Sequence, residues 1–188
     1  KKFIFSSSGK VYGKLENIPT KETHATNPST PYGKTKLEAE KEIIKTIEDV
    51  KDKQILILRQ TYLYGKYMKP EFLIPTIINQ TKDNNTVSLR NADVKRDFIH
   101  IDDLTDLYEF LINNELPNFD ILNVSPGNSI SLTEMVEIVA KLYGKPIDIE
   151  SEDQEEENEE ELLDATKLNS FGWKSKIDYE EGLKRCID

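Results

Sequence analysis

The sequence has 188 residues, 37% of them hydrophobic and 32% charged, a balance typical of one compact unit with an appended lobe. No stretch approaches the roughly 20 apolar residues that a membrane span requires, and the net charge of -10 opposes contact with a nucleic-acid backbone. The single cysteine, Cys186, excludes an internal disulfide and fits a reducing cytoplasm. We therefore predict a cytoplasmic protein with no nucleic-acid, membrane or metal partner.

The first predicted element is a buried parallel strand at residues 3–5, an apolar run bounded by charge before it and by three serines after it. The serines 6–8 then mark the carboxyl end of the strand, where chemistry is expected. Because Lys1 precedes this strand without an initiator methionine or a signal-peptide pattern, we expect the sequence to begin in mid-domain.

A helix is predicted from Pro31 to about Val50, because Thr30 can cap it and apolar residues repeat at helical spacing. A second buried strand at residues 54–59 completes a right-handed strand, helix, strand unit. The later segments predict a helix at 72–82, a strand at 86–89, a helix at 102–113, a strand at 121–124 and a helix at 131–143.

The predicted fold class is α/β, with part of a Rossmann-type doubly wound parallel sheet and a smaller α/β substrate-binding lobe. Residues 1–66 are expected to belong to the dinucleotide-binding domain, and residues 67–188 mainly to the lobe, with some segments returning to the sheet. The glutamate-rich run at 150–161 is predicted to be a solvated, mobile loop, because like charges repel one another.

The sharpest local signal is Tyr32-Gly33-Lys34-Thr35-Lys36, since residues four apart on a helix lie on one face. An ammonium group beside a phenol favours the phenolate, which can act as a base. A packed Tyr32 beside a solvated Lys36 explains the spacing equally well. The preceding strand favours the catalytic interpretation, because Ser8 can place a hydroxyl beside the tyrosine at the same edge of the sheet.

Six segments of the chain resemble the extended short-chain dehydrogenases, the NAD-dependent epimerase/dehydratase family, and most closely the UDP-glucose 4-epimerase type. They are FIFSSSGKVYG, NPSTPYGKTKLEAEK, ILRQTYLYG, RDFIHIDDLTDLYEF, ILNVSPGNSISLTEMVEIV and LLDATKLNSFGWKSKIDYEEGLKRCI. The resemblance covers nearly the whole chain. It implies NAD as the cofactor, with NADP as an alternative, and a nucleotide sugar as the substrate. It also implies a homodimer formed through the helix that begins at Pro31, with exposed isoleucines as the cause.

The resemblance assigns a role to each matching site residue. Ser8 corresponds to the hydroxyl that polarises the substrate, Tyr32 to the acid/base, and Lys36 to the lysine that binds the nicotinamide ribose and favours the phenolate. Thr61 and Tyr62 correspond to positions that line the nicotinamide and the sugar, respectively. Tyr62 replaces an asparagine that many relatives carry.

Arg96 resembles the arginine that binds the substrate diphosphate, a task that suits a planar cation with several donors. The alternative is an arginine paired with Asp93 or Asp97. His100 and Trp173 are predicted to be structural rather than catalytic.

Three departures from the family pattern refine the expectation. Gly9 and Lys10 follow Ser8 where dehydratases carry a carboxylate, which disfavours dehydration and decarboxylation. Glutamates at 155–160 replace a segment that often supplies a second cation for the diphosphate. The sequence contains no glycine-rich dinucleotide fingerprint, so we expect a carboxyl-terminal part that is inactive alone.

The predicted function is NAD-dependent epimerisation of a nucleotide sugar, at C4, through a transient keto-sugar. A nucleotide keto-sugar reductase is the second hypothesis. A binding module of the same fold without catalysis is the third, and the intact set of Ser8, Tyr32 and Lys36 weighs against it.

Overall fold

The computed structural model describes residues 1–47, 53–152, 154–156 and 158–187, and helices alternate with strands along it. The helices are α1 (Pro31–Thr46), α2 (Leu73–Asp83), α3 (Ile101–Asn113), α4 (Leu132–Tyr143), α5 (Thr166–Ser170) and α6 (Tyr179–Ile187). The strands are β1 (Lys2–Ser8), β2 (Gln54–Gln60), β3 (Tyr62–Tyr64), β4 (Thr86–Arg90), β5 (Lys95–Arg96), β6 (Phe98–His100), β7 (Phe119–Val124), β8 (Ile130–Ser131), β9 (Asp148–Glu152) and β10 (Glu160–Glu161). The predicted order of the longer elements is confirmed. Val50, the predicted end of the first helix, lies outside the described residues.

The main sheet is parallel and has the strand order β1, β2, β7. β1 and β2 are in register from Lys2 opposite Gln54 to Ser8 opposite Gln60, so their carboxyl ends meet at one edge. Side chains of successive strand residues point to opposite faces of a sheet. Even-numbered residues of β2 and β7, such as Leu56 and Leu122, pack with Leu107 of α3. Ser7 and Arg59 point to the other face, toward α1, so helices cover both faces as in a doubly wound fold.

The second core belongs to the smaller lobe, where α2, α4 and α6 pack with the parallel pair of β4 and β9. A capping box starts α4: the Ser131 hydroxyl accepts the Glu134 backbone N–H, and the Glu134 carboxylate accepts the Ser131 backbone N–H. α4 ends at Gly144, whose φ of 65° is left-handed backbone that glycine adopts without strain. β7 from this half of the chain pairs with β2 of the main sheet, and α3 packs against that sheet.

The prediction of a mobile loop for the glutamate-rich run is wrong at both of its ends. Glu150–Glu152 belong to β9, which pairs with β4, and Glu160–Glu161 form β10, which pairs with β5. Asn158 is buried, accepts the Leu15 backbone N–H and donates to the Gly13 carbonyl. Hydrogen bonds to distant parts of the chain thus overcome the local repulsion of like charges.

A buried ion pair fixes α1 against the sheet. Glu40 of α1 and Arg59 of β2 are 1% and 5% exposed, and Arg59 binds the Glu40 carboxylate through Nη2 at 2.7 Å and through Nε at 3.1 Å. The Ser7 hydroxyl of β1 donates to the same carboxylate, and the Arg59 guanidinium lies 4.8 Å from the centre of the Tyr12 ring. The pair therefore joins α1 to both strands that carry polar residues to the sheet edge.

We expect Glu40→Ala to lower the free energy of unfolding by about 3–5 kcal/mol, because it leaves the buried Arg59 guanidinium without its counter-charge. Urea denaturation followed by circular dichroism measures this loss. Glu38→Ala removes an exposed carboxylate from the same helix and should leave the midpoint unchanged. Equal midpoints for the two variants would contradict the role given to the ion pair.

Asp97 lies between β5 and β6 and joins three segments around the sheet edge. Its carbonyl accepts the Tyr62 backbone N–H at 3.2 Å and the Thr61 hydroxyl, and its carboxylate accepts the Leu163 N–H at 3.3 Å. The side chain is fully buried, and Oδ1 has no hydrogen-bond partner among the described residues. Burial raises the pKa of the Asp97 carboxyl from 3.8 to about 7.

We expect the stability of the fold to fall between about pH 4 and pH 7 through Asp97. The folded state holds this proton more tightly than the unfolded chain, so its contribution is full below the unfolded pKa and is lost as the pH rises to about 7. Asp97→Asn removes the titration but keeps the shape. Urea denaturation at a series of pH values should give a steeper decline for the parent than for the variant, and parallel curves would contradict this assignment.

Candidate active site

The three serines at the end of β1 have three different environments. The Ser6 hydroxyl contacts the Tyr108 hydroxyl on the α3 face, and the Ser7 hydroxyl donates to Glu40 on the α1 face. The Ser8 hydroxyl accepts the Lys10 backbone N–H at 3.2 Å and starts the 3-10 turn Gly9–Val11. Of the three, Ser8 thus lies where the strand has ended and the chain turns away from the sheet.

The amino-terminal turn of α1 brings Tyr32 to the same edge. Thr30 caps the helix by accepting the Gly33 N–H at 3.1 Å, and Pro31 supplies a preorganised first residue. A Cβ atom at Gly33 would lie 2.4 Å from the Lys10 carbonyl oxygen, so only glycine allows the helix to approach the turn after Ser8 this closely. The Tyr-Gly-Lys sequence therefore carries a packing requirement as well as a candidate acid/base.

Lys36 follows one helical turn after Tyr32 and lies against the end of β1. Its Nζ donates to the Ser6 carbonyl at 2.7 Å. The same Nζ lies 5.7 Å from the centre of the Tyr32 ring and 5.3 Å from that of Phe5. The predicted proximity of the lysine and the tyrosine is thus present in the structure.

A cavity of about 550 Å³, hereafter the main cavity, opens at the carboxyl edge of β1 and β2. Ser8, Tyr32, Thr61 and Tyr62 all line it, and Tyr32 is 56% exposed. Four of the six predicted site residues therefore face one space. Lys36 and Arg96 do not line the main cavity. Lys36 lies beside the ring of Tyr32, and Arg96 lies 3.7 Å from Glu161, which lines the cavity.

Thr61 and Tyr62 are fixed by the neighbouring strand β6. The Thr61 hydroxyl donates to the Asp97 carbonyl, and the Thr61 N–H donates to Val124 at 3.1 Å. The Tyr62 ring packs at 5.4 Å between centroids against Phe98. Burial raises the pKa of the Tyr62 hydroxyl, so this phenol stays protonated at neutral pH.

Arg96 is 7% exposed, and its guanidinium is engaged by the segment that contains the glutamates. Nη1 donates to the carbonyls of Lys95, Asn158 and Glu159, and Nη2 donates to the Glu156 carboxylate at 3.1 Å. Its carboxylate partner is therefore neither of the two aspartates considered from the sequence. The diphosphate role stays a prediction, which requires these donors to be released.

Lys10, named from the sequence only as a residue that replaces a carboxylate, and Glu161, which the sequence did not single out, both line the main cavity. The Lys10 ammonium donates to both carboxylate oxygens of Glu161, at 2.8 and 3.0 Å, and lies 5.0 Å from the centre of the Tyr62 ring. Burial by itself lowers the pKa of Lys10, but the Glu161 carboxylate and Tyr62 raise it above its ordinary value. The position of Lys10, two residues after Ser8, was the signal available. Glu161 lies at the end of the glutamate-rich run, where no local pattern distinguishes it from its neighbours.

Two other polar residues behave as structural groups. His100 is 3% exposed and caps α3, because its Nδ1 accepts the Asp102 N–H at 3.2 Å, and burial lowers its pKa. Trp173 is 3% exposed in the core beneath the sheet and donates to Asp106 at 2.8 Å. Within the described ranges, no cluster of three His, Cys, Asp or Glu side chains could hold a metal ion, and no helix is long and apolar enough to cross a membrane.

Comparisons with known proteins show the family of the chain. Residues 1–125 match the model of the NAD dependent epimerase/dehydratase family. An assigned UDP-glucose 4-epimerase of Methanocaldococcus jannaschii is 31% identical over the whole chain, which spans 62% of that relative's length. The dTDP-D-glucose 4,6-dehydratase of Mus musculus is 25% identical, and the chain spans 55% of its length.

Among solved structures, the UDP-N-acetylglucosamine 4-epimerase of Methanobrevibacter ruminantium, in complex with UDP-N-acetylmuramic acid, superimposes with a TM-score of 0.88. It is 25% identical over the whole chain, which covers 62% of it. Other solved neighbours are complexed with NAD or NADPH. By the family match and the 31% identity over its whole length, the chain belongs to the NAD-dependent epimerase/dehydratase family.

Proposed function

We propose that this chain provides the catalytic edge and the substrate lobe for NAD-dependent epimerisation of a nucleotide sugar at C4. The observation that carries the proposal is that Ser8 and Tyr32 face one cavity while the Lys36 ammonium lies at the Tyr32 ring. The names of the relatives support a nucleotide sugar as the substrate, because both epimerases and dehydratases among them act on such compounds.

The side chains at the sheet edge fit the nicotinamide end of NAD. Lys36 offers an ammonium with donors left after its bond to the Ser6 carbonyl, and such a group can bind ribose hydroxyls. Tyr32 and Thr61 line the cavity beside it. Bound NAD supplies hydride acceptance and return at the sugar carbon.

The chain's own residues handle the proton. Tyr32 removes the proton of the sugar hydroxyl, and the Lys36 ammonium lies beside its ring. Ser8 donates a hydrogen bond to the same sugar oxygen and polarises it as it becomes a carbonyl. Tyr32 then returns the proton when the keto-sugar is reduced. Reduction on the opposite face of the sugar gives the C4 epimer.

Dehydration is the less supported outcome for this cavity. Elimination needs an acid/base beyond Tyr32, and the position two residues after Ser8 holds Lys10, whose ammonium is bound by Glu161. Glu161 is a carboxylate on the wall, but Lys10 binds both of its oxygens and Tyr62 contacts one of them, so its oxygens are already engaged.

A keto-sugar reductase is the second candidate, because it uses the same Ser8, Tyr32 and Lys36 for a single hydride transfer. Consumption of one NADH per product separates it from an epimerase, which regenerates its cofactor. A binding module without turnover would bind the same ligands and produce neither signal.

We also propose that the protein acts in a reducing cytoplasm as a homodimer assembled through α1. Ile44 is 41% exposed on this helix, and Ile43 and Ile47 are half-buried. Exposed apolar side chains on an otherwise charged helix favour contact with a second copy.

We expect Tyr32→Phe to reduce turnover at least about 100-fold while nucleotide-sugar binding is kept, because only the proton-transferring hydroxyl is lost. Lys36→Met should also reduce turnover and should weaken the binding of NAD. The assay supplies NAD in large excess with UDP-glucose, follows the C4 epimer by chromatography and follows NADH by absorbance.

Lys34→Met is the matched control, since Lys34 is exposed on the same helical turn. It should retain the turnover of the parent. Full activity of Tyr32→Phe would refute the assignment of the acid/base, and accumulation of NADH without an epimer would favour the reductase, because the hydride is then transferred once and not returned.

We expect the 188-residue chain to bind NAD weakly. Tyr32, Lys36 and Thr61 contact only the nicotinamide end, and the sequence contains no glycine-rich loop opening a helix to hold the pyrophosphate. Calorimetric titration of NAD, with a full-length relative as the positive control, measures the difference. Binding as tight as that of the relative would contradict this division of the cofactor site.

A further inference from the structure

The wall of the main cavity that lies beyond Ser8 carries a carboxylate in a fixed position. Glu161 belongs to β10 and is paired in register with Arg96 of β5, so the backbone holds its Cα in place. Lys10 binds both of its oxygens, and the Tyr62 hydroxyl lies 3.4 Å from Oε1. The Glu161 side chain is 17% exposed, and the exposed part faces the cavity.

The charges at this wall are already compensated. The Lys10 ammonium is bound by Glu161, and the Arg96 guanidinium is bound by Glu156 and lies 3.7 Å from Glu161. Two cations thus meet two carboxylates, and no unpaired cation among the described residues lines the main cavity near Ser8. A ligand carboxylate at this place would face Glu161 without a cation to receive it, and like charges in contact cost binding energy.

A hydroxyl group meets the opposite situation. An ionised carboxylate has about four acceptor positions, and Lys10 occupies two of them while Tyr62 makes a long contact with one oxygen. The remaining capacity accepts hydrogen bonds from sugar hydroxyls. Because charged acceptors make strong hydrogen bonds, this wall favours the binding of a neutral sugar that carries hydroxyl groups.

We propose that Glu161, held by Lys10, is a specificity-determining residue of the main cavity that selects a neutral hexose and disfavours a hexuronate. The inference rests on the proposed function, because it requires the sugar of a nucleotide sugar to lie beside Ser8. It gives Lys10 the role of a partner that binds Glu161 and offsets part of the negative charge at the cavity wall.

The test compares UDP-glucose with UDP-glucuronate, which differ in a hydroxymethyl and a carboxylate group, and uses UDP alone as the ligand without a sugar. Calorimetry gives the three affinities for the parent chain and for Glu161→Gln. We expect the parent to prefer UDP-glucose, and Glu161→Gln to shift the ratio toward UDP-glucuronate about tenfold. UDP should bind equally to both proteins.

Two further variants provide a matched control and a second test of the charge at this wall. Glu155→Gln makes the same change at an exposed residue of the same segment and should leave the ratio unchanged. Lys10→Met removes the cation without touching β10 and should shift the ratio the other way, toward UDP-glucose. Thermal unfolding of each variant confirms that the fold is retained.

An unchanged ratio in Glu161→Gln would overturn the specificity role and leave the proposed function standing. A uniform gain for all three ligands would also overturn it, because the charge would then act on the diphosphate. If the parent chain binds none of the three ligands, the proposed function fails and this inference fails with it.

Discussion

The buried pair of Glu40 and Arg59 is the interaction on which the candidate site depends. α1 carries Tyr32 and Lys36, yet it buries few apolar side chains, and Gly33 and Glu40 are its buried residues. The ion pair and its hydrogen bonds, more than hydrophobic packing, therefore hold α1 against the sheet. Because a buried ion pair is stable only with good geometry and satisfied neighbours, the bidentate contact with Arg59 also fixes the angle at which the helix meets the sheet.

Glu40 lies one helical turn beyond Lys36, which itself lies one turn beyond Tyr32, so the three share one face of α1. The same face thus contains the anchor Glu40, the Lys36 ammonium and the Tyr32 hydroxyl, which we propose transfers the proton. The anchor reaches Ser7 of β1, and the next residue of that strand is Ser8. The contact between Glu40 and Ser7 therefore helps to set the distance between Tyr32 and Ser8.

Much of this arrangement could be predicted from the sequence, because its signals are local. The apolar runs of β1 and β2, the cap at Thr30 and the four-residue spacing of Tyr32 and Lys36 each depend on neighbouring residues. The two-residue strands β5, β8 and β10 contain no period that a pattern could reveal. The prediction for the glutamate-rich run failed for a related reason: its compensating cations, Arg96 and Lys10, come from parts of the chain about 60 and 150 residues away, respectively.

The pairing of β10 with β5 has a further consequence for the chemistry of the family. It places a segment from near the end of the chain against the residues that follow Ser8, so the catalytic edge and the lobe meet at one wall. In the proposed function, Ser8, Tyr32 and Lys36 serve the reacting carbon and oxygen of the sugar. We infer that the wall formed by Lys10, Tyr62 and Glu161 contacts the part of the ligand that does not react. Selectivity among nucleotide sugars can therefore change through this wall while the proton transfer at Tyr32 stays the same.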